Sequence, residues 1–345
     1  MPGLKNFKKG ILRDGWTADI DDYVIVCEWA LGGNSLLAGD VTGGISAFDS
    51  ISGHTLWKRE RNHDGLLAID VHPNGELFAS AGQDGRILIY NALTGEKNKT
   101  IEVGPEWVEH IAWSPDGRWL AVAYSRKIIV FRSDGKKKWQ SDNHPSTVSA
   151  ISWSGADELA VACYGKVAIY DVVTECVQQQ LEWKGSLVSM VLSPDGDIVA
   201  CGSQDNSVHF WRRSTAQDSM MSGYPGKPAN LAFDSSGTLL ATGGSETVTV
   251  WSFQDLGPEG TRPGELELHN RPISSLAFAP KGMRLASGSK DGSIAIWLLQ
   301  KDGDGELLGA TSLDAPISRL AWRPDGRAIA AANAVGKLTS WRIKN

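Results

Sequence analysis

The chain has 345 residues, of which 41% are hydrophobic and 21% charged, a composition typical of a globular protein with a large core. Its net charge of −6 excludes a general affinity for nucleic acid or anionic membranes, because both require a basic surface. It has no apolar run long enough for a signal peptide or a membrane span, which predicts a cytoplasmic protein. The four cysteines show no CxxC spacing, which indicates plain buried thiols.

Short runs of alternating apolar residues, each ending in an aromatic residue, recur along the chain at intervals of 39 to 46 residues. The aromatic residues are Phe48, Tyr90, Phe131, Tyr170, Trp211, Trp251, Trp297 and Trp341. A period of about 40 to 45 residues is typical of the four-stranded blades of a β-propeller. The sequence therefore predicts an all-β fold, a closed propeller of about eight four-stranded blades, with seven blades as the alternative if one end repeat packs differently.

Most repeats carry a Pro-x-Gly turn after their first strand, as in Ser114–Gly117 and Ser193–Gly196. Proline presets φ and glycine takes the positive-φ position, so each turn predicts a hairpin between antiparallel strands. A fourth strand follows each aromatic except Trp341, after which only four residues remain. Because an open ring would leave an unpaired edge, we expect residues 8–14 to pair beside the strand ending at Trp341. We expect residues 1–345 to form one domain.

With these features the chain resembles the WD-repeat propellers over essentially its whole length. The resemblance implies a buried structural hydrogen-bond chain that joins a histidine, a serine, an aspartate and an aromatic residue within one blade. The matching residues are His269, Ser287, Asp291 and Trp297 in the seventh repeat, and His63, Ser80 and Asp84 in the second, where Tyr90 replaces tryptophan. Other repeats depart from the pattern, and their turns in AVAYSRK, AVACYGK and AANAVGK contain no aspartate.

Catalytic interpretations are weaker than structural ones. His269, Ser287 and Asp291 could suggest a hydrolase triad, but their positions recur as repeat elements, which favours a scaffold role. The histidines have no metal-ligand spacing, and no glycine-rich phosphate loop precedes a helix. Eight-bladed rings also include quinone-dependent dehydrogenases, yet most tryptophans here end first or third strands, which are core positions. We predict no catalytic residue, metal or cofactor.

The remaining prediction is recognition at one rim of the propeller, where loop side chains are free of packing duty. By register with the seventh repeat, the candidate partner-binding residues are Tyr23, Trp107, Glu109, Thr147, Ser149, Tyr224, Arg271 and Arg319. We predict a non-enzymatic scaffold that is a monomer alone and binds a protein partner, whose identity the sequence does not specify. The alternative is a propeller enzyme with a metal or small-molecule site in the central channel.

Overall fold

A computed structural model describes residues 7–59, 64–255 and 257–344. Its strands form eight four-stranded antiparallel sheets, and the prediction of an eight-bladed β-propeller is confirmed. The strands belong to two compact units, unit one (residues up to 27 and from 193 onward) and unit two (residues 28–192). Within the described residues, no helix has both the length and the apolar character needed to cross a bilayer.

After the N-terminal strand β1 (Leu12–Asp19), the chain builds the first four blades in order. Blade one has β2 (Val24–Ala30), β3 (Ser35–Asp40), β4 (Ile45–Asp49) and β5 (Thr55–Arg59), with a 3₁₀ turn at Leu31–Gly33. Blade two has β6 (Leu66–Val71), β7 (Leu77–Gly82), β8 (Arg86–Asn91) and β9 (Lys97–Glu102). Blade three has β10 (Val108–Trp113), β11 (Trp119–Tyr124), β12 (Lys127–Arg132) and β13 (Lys137–Gln140). Blade four has β14 (Ala150–Trp153), β15 (Glu158–Cys163), β16 (Lys166–Asp171) and β17 (Cys176–Glu182).

The last four blades follow the same order of strands. Blade five has β18 (Leu187–Leu192), β19 (Ile198–Ser203), β20 (Val208–Arg212) and β21 (Gln217–Met221). Blade six has β22 (Asn230–Phe233), β23 (Leu239–Gly243), β24 (Val248–Ser252) and the three-residue β25 (Gly264–Leu266). Blade seven has β26 (Ile273–Phe278), β27 (Arg284–Ser289), β28 (Ser293–Leu299) and β29 (Gly305–Ser312). Blade eight has β30 (Ile317–Trp322), β31 (Ala328–Asn333) and β32 (Lys337–Ile343), with β1 as its outer strand.

The N-terminal strand closes blade eight as the sequence predicts. Strand β1 pairs antiparallel with β32, and Asp14 lies opposite Trp341. The pairing begins at Leu12 and not at residue 8, and it runs on to Asp19, beyond the predicted end at residue 14. Lys8 O instead accepts from Ala310 N–H of β29 in blade seven. This strand gives β32 its outer neighbour, so the edge that would invite aggregation is covered.

The alternation of apolar residues places the core between neighbouring sheets. Between blades two and three, Ile87 and Ile89 pack with Leu120 and Phe131, all buried. A turn glycine allows blades two and three to approach closely at a second place. Gly117 has φ +72°, and a Cβ there would collide with the ring of His72.

Three of the four cysteine thiols are buried, at Cys27, Cys163 and Cys201, and none of the four, which all lie in the described residues, forms a disulfide. The expectation of burial is wrong for Cys176, which is exposed. Cys176 begins β17, an outer strand whose side chains are mostly exposed.

Candidate functional site

The seventh blade brings its four predicted residues into one buried hydrogen-bond chain. The Trp297 indole N–H donates to Ser287 Oγ at 2.9 Å, and Ser287 Oγ lies 2.7 Å from His269 Nε2. His269 Nδ1 lies 2.6 Å from Ser293 Oγ, and the Ser293 hydroxyl donates to Asp291. One direction of donation satisfies every member: indole to Ser287, Ser287 to His269, His269 Nδ1–H to Ser293, and Ser293 to the carboxylate.

Sequence analysis missed Ser293. His269 reaches Asp291 through the Ser293 hydroxyl and not by a direct hydrogen bond. Burial by itself raises the pKa of Asp291, but hydrogen bonds from the Ser293 hydroxyl and from backbone amides bring that pKa below its ordinary value. One of those amides, Asn270 N–H, donates to Asp291 Oδ2 at 2.7 Å. The carboxylate thus ties the loop before β26 to the turn before β28, a structural task.

The sixth blade builds a shorter version of this chain with Tyr224. The Trp251 indole N–H donates to the Tyr224 hydroxyl at 2.7 Å, and the Thr242 hydroxyl donates to the same oxygen at 2.9 Å. Burial raises the pKa of Tyr224 to about 12. This hydroxyl therefore contacts the interior of its blade, a packing role that the rim prediction for Tyr224 did not foresee.

The fourth blade also contains a histidine that sequence analysis missed. His144 is buried, and its Nε2 lies 3.4 Å from the hydroxyl of Tyr170, the aromatic residue that ends the repeat. Burial lowers the pKa of His144 to about 4, so the ring is neutral at pH 7. A signal was present in the sequence, because His144 and His269 both lie shortly before the first strand of their blades.

In the second blade Ser80 and Tyr90 are both buried, and burial raises the pKa of Tyr90 to about 12. Asp84 forms an ion pair with Arg86 at 2.6 Å across its own turn. His63 lies outside the described residues.

Four predicted rim residues belong to unit two. Trp107 is 51% exposed and Thr147 is also exposed, whereas Glu109 and Ser149 are half-buried. Burial raises the pKa of Glu109, and the Ser149 hydroxyl donates to Ala162 O at 3.3 Å.

The other three predicted rim residues, Tyr23, Arg271 and Arg319, are exposed and belong to unit one. Tyr23 lies in the link between β1 and β2, and it is 39% exposed.

Sequence analysis missed an exposed aromatic residue, Tyr164, in the turn between β15 and β16. Its ring is 56% exposed, and its backbone N–H donates to Ser146 Oγ at 2.9 Å in the link before β14. Antiparallel order places the turn between the second and third strands at the same end of a blade as the links to its neighbours. Tyr164 and Trp107 therefore lie at the same kind of blade end.

Two carboxylates join the first strands of neighbouring blades in unit two. Glu28 accepts from Val71 N–H at 3.2 Å, and Asp70 accepts from Trp113 N–H at 2.5 Å. Burial raises the pKa of Asp70 to about 7. Among the residues whose placement is described, no three His, Cys, Asp or Glu side chains are grouped so that they could hold a metal ion.

Comparison with known proteins agrees with the repeat and the fold. The family model described as WD domain, G-beta repeat, matches residues 175–212, 222–252 and 260–297. These repeats and the eight-bladed fold support a WD-repeat β-propeller family for the chain. A second family model, described as outer membrane protein assembly factor BamB, matches residues 41–174. WD-repeat propellers are generally scaffolds that bind protein partners and lack enzymatic activity.

Curated relatives are distant and often much longer. The chain is 26% identical to actin-interacting protein 1 of Caenorhabditis elegans over 71% of its own length and 41% of that protein. It is 24% identical to telomerase protein component 1 of Mus musculus over 67% of its length, which is 9% of that protein. The chain thus spans less than half of each of these relatives. It is 23% identical to the guanine nucleotide-binding protein subunit beta of Arabidopsis thaliana over 69% of its length and 81% of that protein.

A solved structure shows the same fold. The computationally designed Ika8 protein superposes with a TM-score of 0.82 at 20% sequence identity, covering 97% of this chain and 100% of that one.

Proposed function

We propose that this WD-repeat protein is a cytoplasmic, non-catalytic scaffold whose single domain, residues 1–345, binds a protein partner through one rim. On this proposal the protein alone is a monomer, and it has no general affinity for nucleic acid because its net charge is −6. The relatives support a scaffold role in general, and the partner is not defined by their names.

The choice of this rim rests on the distribution of exposed aromatic side chains. The rim is the blade end that contains the links between blades and the turns between second and third strands. In the described part of the chain the exposed tyrosines and tryptophans are Tyr23, Trp107 and Tyr164. Each lies in a link between blades or in a turn between second and third strands, which is the same end of the blade in every case. Exposed aromatic rings are costly to leave in water and dominate the energetics of protein interfaces.

Affinity capture from a native extract, followed by mass spectrometry, tests this proposal. The bait is the parent protein beside the variants Trp107→Ala, Tyr164→Ala and Arg271→Ala. Leu93→Ala is the matched control, because Leu93 is 63% exposed but lies in the turn between β8 and β9 at the opposite blade end. We expect a reproducible partner that the control retains and the rim variants lose, by about tenfold or more for a central aromatic residue.

Two results would contradict the proposal in different ways. A partner that all rim variants retain, but Leu93→Ala loses, would move binding to the other blade end. No reproducible partner, together with stoichiometric metal in the pure protein or turnover of a small substrate, would favour the enzyme alternative over a scaffold.

A further inference from the structure

Neighbouring blades of unit two are joined at their outer edges by one recurring contact. In blades one to three, one outer-strand residue contacts the next blade. It is the residue paired with the one that precedes the aromatic residue of the repeat. At this position Trp57 donates its indole N–H to Ala92 O at 3.0 Å and stacks on Phe78 with ring centroids 5.9 Å apart. Trp139 holds the same position in β13, with its ring 4.9 Å from that of Tyr170.

Lys99 occupies the equivalent position in β9 and donates to Asp134 O in blade three. Two tryptophan rings and one lysine side chain therefore cover the junctions between blades one and two, two and three, and three and four. This position of the outer strand thus accommodates a tryptophan ring or a lysine side chain that reaches the next blade.

Two of the junctions in unit one are covered by backbone instead. Gly264 holds the equivalent position in β25, and a Cβ there would collide with the Gly303 carbonyl oxygen of blade seven. Gly309 holds it in β29, and a Cβ there would collide with the Lys9 carbonyl oxygen. In both junctions a segment of main chain lies where the tryptophans lie in unit two.

The junction between blades five and six differs from all of these. Its equivalent residue is Ser219, opposite Phe210 in β20, and a groove of about 350 Å³ opens beside it. The groove is lined by the apolar side chains of Phe210, Met220, Met221, Trp251 and Pro258, and by the polar side chains of Ser219, Ser222 and Thr261. Glu259 also lines it and is exposed. This volume is at the lower end of the roughly 300–1,000 Å³ typical of ligand pockets.

We propose that this groove binds an aromatic side chain of a partner polypeptide, flanked by a lysine or arginine. The aromatic ring would lie against Trp251 as Trp139 lies against Tyr170, since Trp251 and Tyr170 both end third strands. The Glu259 carboxylate selects the basic neighbour by charge complementarity. This site lies on the outer wall of the blades, so it does not depend on the rim proposed above.

The probe is a fluorescein-labelled pentapeptide of sequence GKWKG, titrated with the protein while fluorescence anisotropy is recorded. We expect saturable binding below about 1 mM, and at least about tenfold weaker binding of GKAKG, which keeps the charge but lacks the ring. Ser219→Trp places a ring in the groove and is expected to weaken GKWKG binding by at least about tenfold. Glu259→Lys, a surface change, is expected to weaken it about three- to tenfold through like-charge repulsion.

Matched controls separate groove filling from general effects. Ser219→Ala keeps the groove, and Thr100→Trp adds an exposed tryptophan to the outer strand of blade two. Both are expected to bind GKWKG as the parent does, as is the rim variant Trp107→Ala. Circular dichroism melts check that each variant is folded, and Glu259→Lys carries the test if Ser219→Trp does not fold.

The proposal is overturned by any of three results. These are absence of saturable binding to the parent, equal binding of GKWKG and GKAKG, or parent-like binding by folded Glu259→Lys and Ser219→Trp. Sedimentation that shows a dimer of the parent and a monomer of Ser219→Trp would also overturn it, because a second copy would then be the occupant.

Discussion

The seventh and sixth blades both place a tryptophan at the end of the third strand and satisfy its indole N–H with a hydroxyl group. In the seventh blade Ser287 is that hydroxyl, and the chain continues through His269 and Ser293 to a carboxylate. In the sixth blade the Tyr224 hydroxyl takes its place and also receives the Thr242 hydroxyl. What the two blades share is a satisfied indole donor, because an unpaired buried N–H costs about 1–3 kcal/mol. The identity of the acceptor is free to change.

The largest expected effect is the loss of the tryptophan itself. Trp297 is 4% exposed, so Trp297→Ala should lower the free energy of unfolding by about 3–5 kcal/mol through the cavity it leaves. Trp251 is only partly buried and lines a groove, so Trp251→Ala should cost less. Chemical denaturation of both variants measures the difference, and a larger loss for Trp251→Ala would contradict this comparison.

The second largest effect on stability is expected from removal of the Asp291 carboxylate, which ends the hydrogen-bond chain of the seventh blade. Asp291→Ala should lower the free energy of unfolding by about 1–3 kcal/mol, because Ser293 and Asn270 lose their acceptor. The pKa of Asp291 is lower in the folded state, so this contribution is present above the unfolded pKa of about 4 and is lost as the pH falls through the folded pKa.

Melts at pH 7 and at pH 3 check this. The difference in melting temperature between the parent and Asp291→Ala should be smaller at pH 3 than at pH 7. Asp302→Ala, which changes an exposed aspartate in the turn between β28 and β29, should match the parent at pH 7.

Tyr224→Phe tests the shorter chain at nearly constant volume. It removes the oxygen that accepts from Trp251 and Thr242, so it should cost about 1–2 kcal/mol. Tyr164→Phe is the control, since the exposed Tyr164 ring should tolerate the loss of its hydroxyl within about 0.5 kcal/mol. Equal stability of Tyr224→Phe and the parent would show that water replaces the lost oxygen.

The smallest effect concerns a carboxyl group that, unlike Asp291, has its pKa raised by burial. Asp70 has a pKa of about 7 in the folded state, so its ionisation opposes folding above the unfolded pKa and does so fully above pH 7. Asp70→Asn should therefore raise the melting temperature at pH 8, with a net gain on the order of 1 kcal/mol, because asparagine still accepts from Trp113 N–H. The gain should vanish near pH 4, and an equal gain at both pH values would exclude ionisation as the cause.

Sequence reasoning found the hydrogen-bond chain only where the repeat keeps its usual residues. In the seventh blade His269, Ser287, Asp291 and Trp297 fall at recognisable spacings, but Ser293 was missed. In the sixth and fourth blades, Tyr224 and His144 contact the third-strand aromatic residue instead. Both come from loops, and their partners lie 18 to 27 residues away along the chain. No local pattern states which loop residue will reach a third-strand aromatic ring.

The sequence by itself determined the number of blades, the turns and the closure by β1. These follow from local causes: a period of two within strands, proline and glycine at turns, and a run of residues before the first repeat that suits an outer strand. The tertiary structure decided which aromatic rings remain exposed and which blade junction stays open beside Ser219. Those features depend on pairs of side chains from neighbouring blades, such as Trp139 and Tyr170, whose contact is set by packing across the sheets and not by any residue's own neighbours.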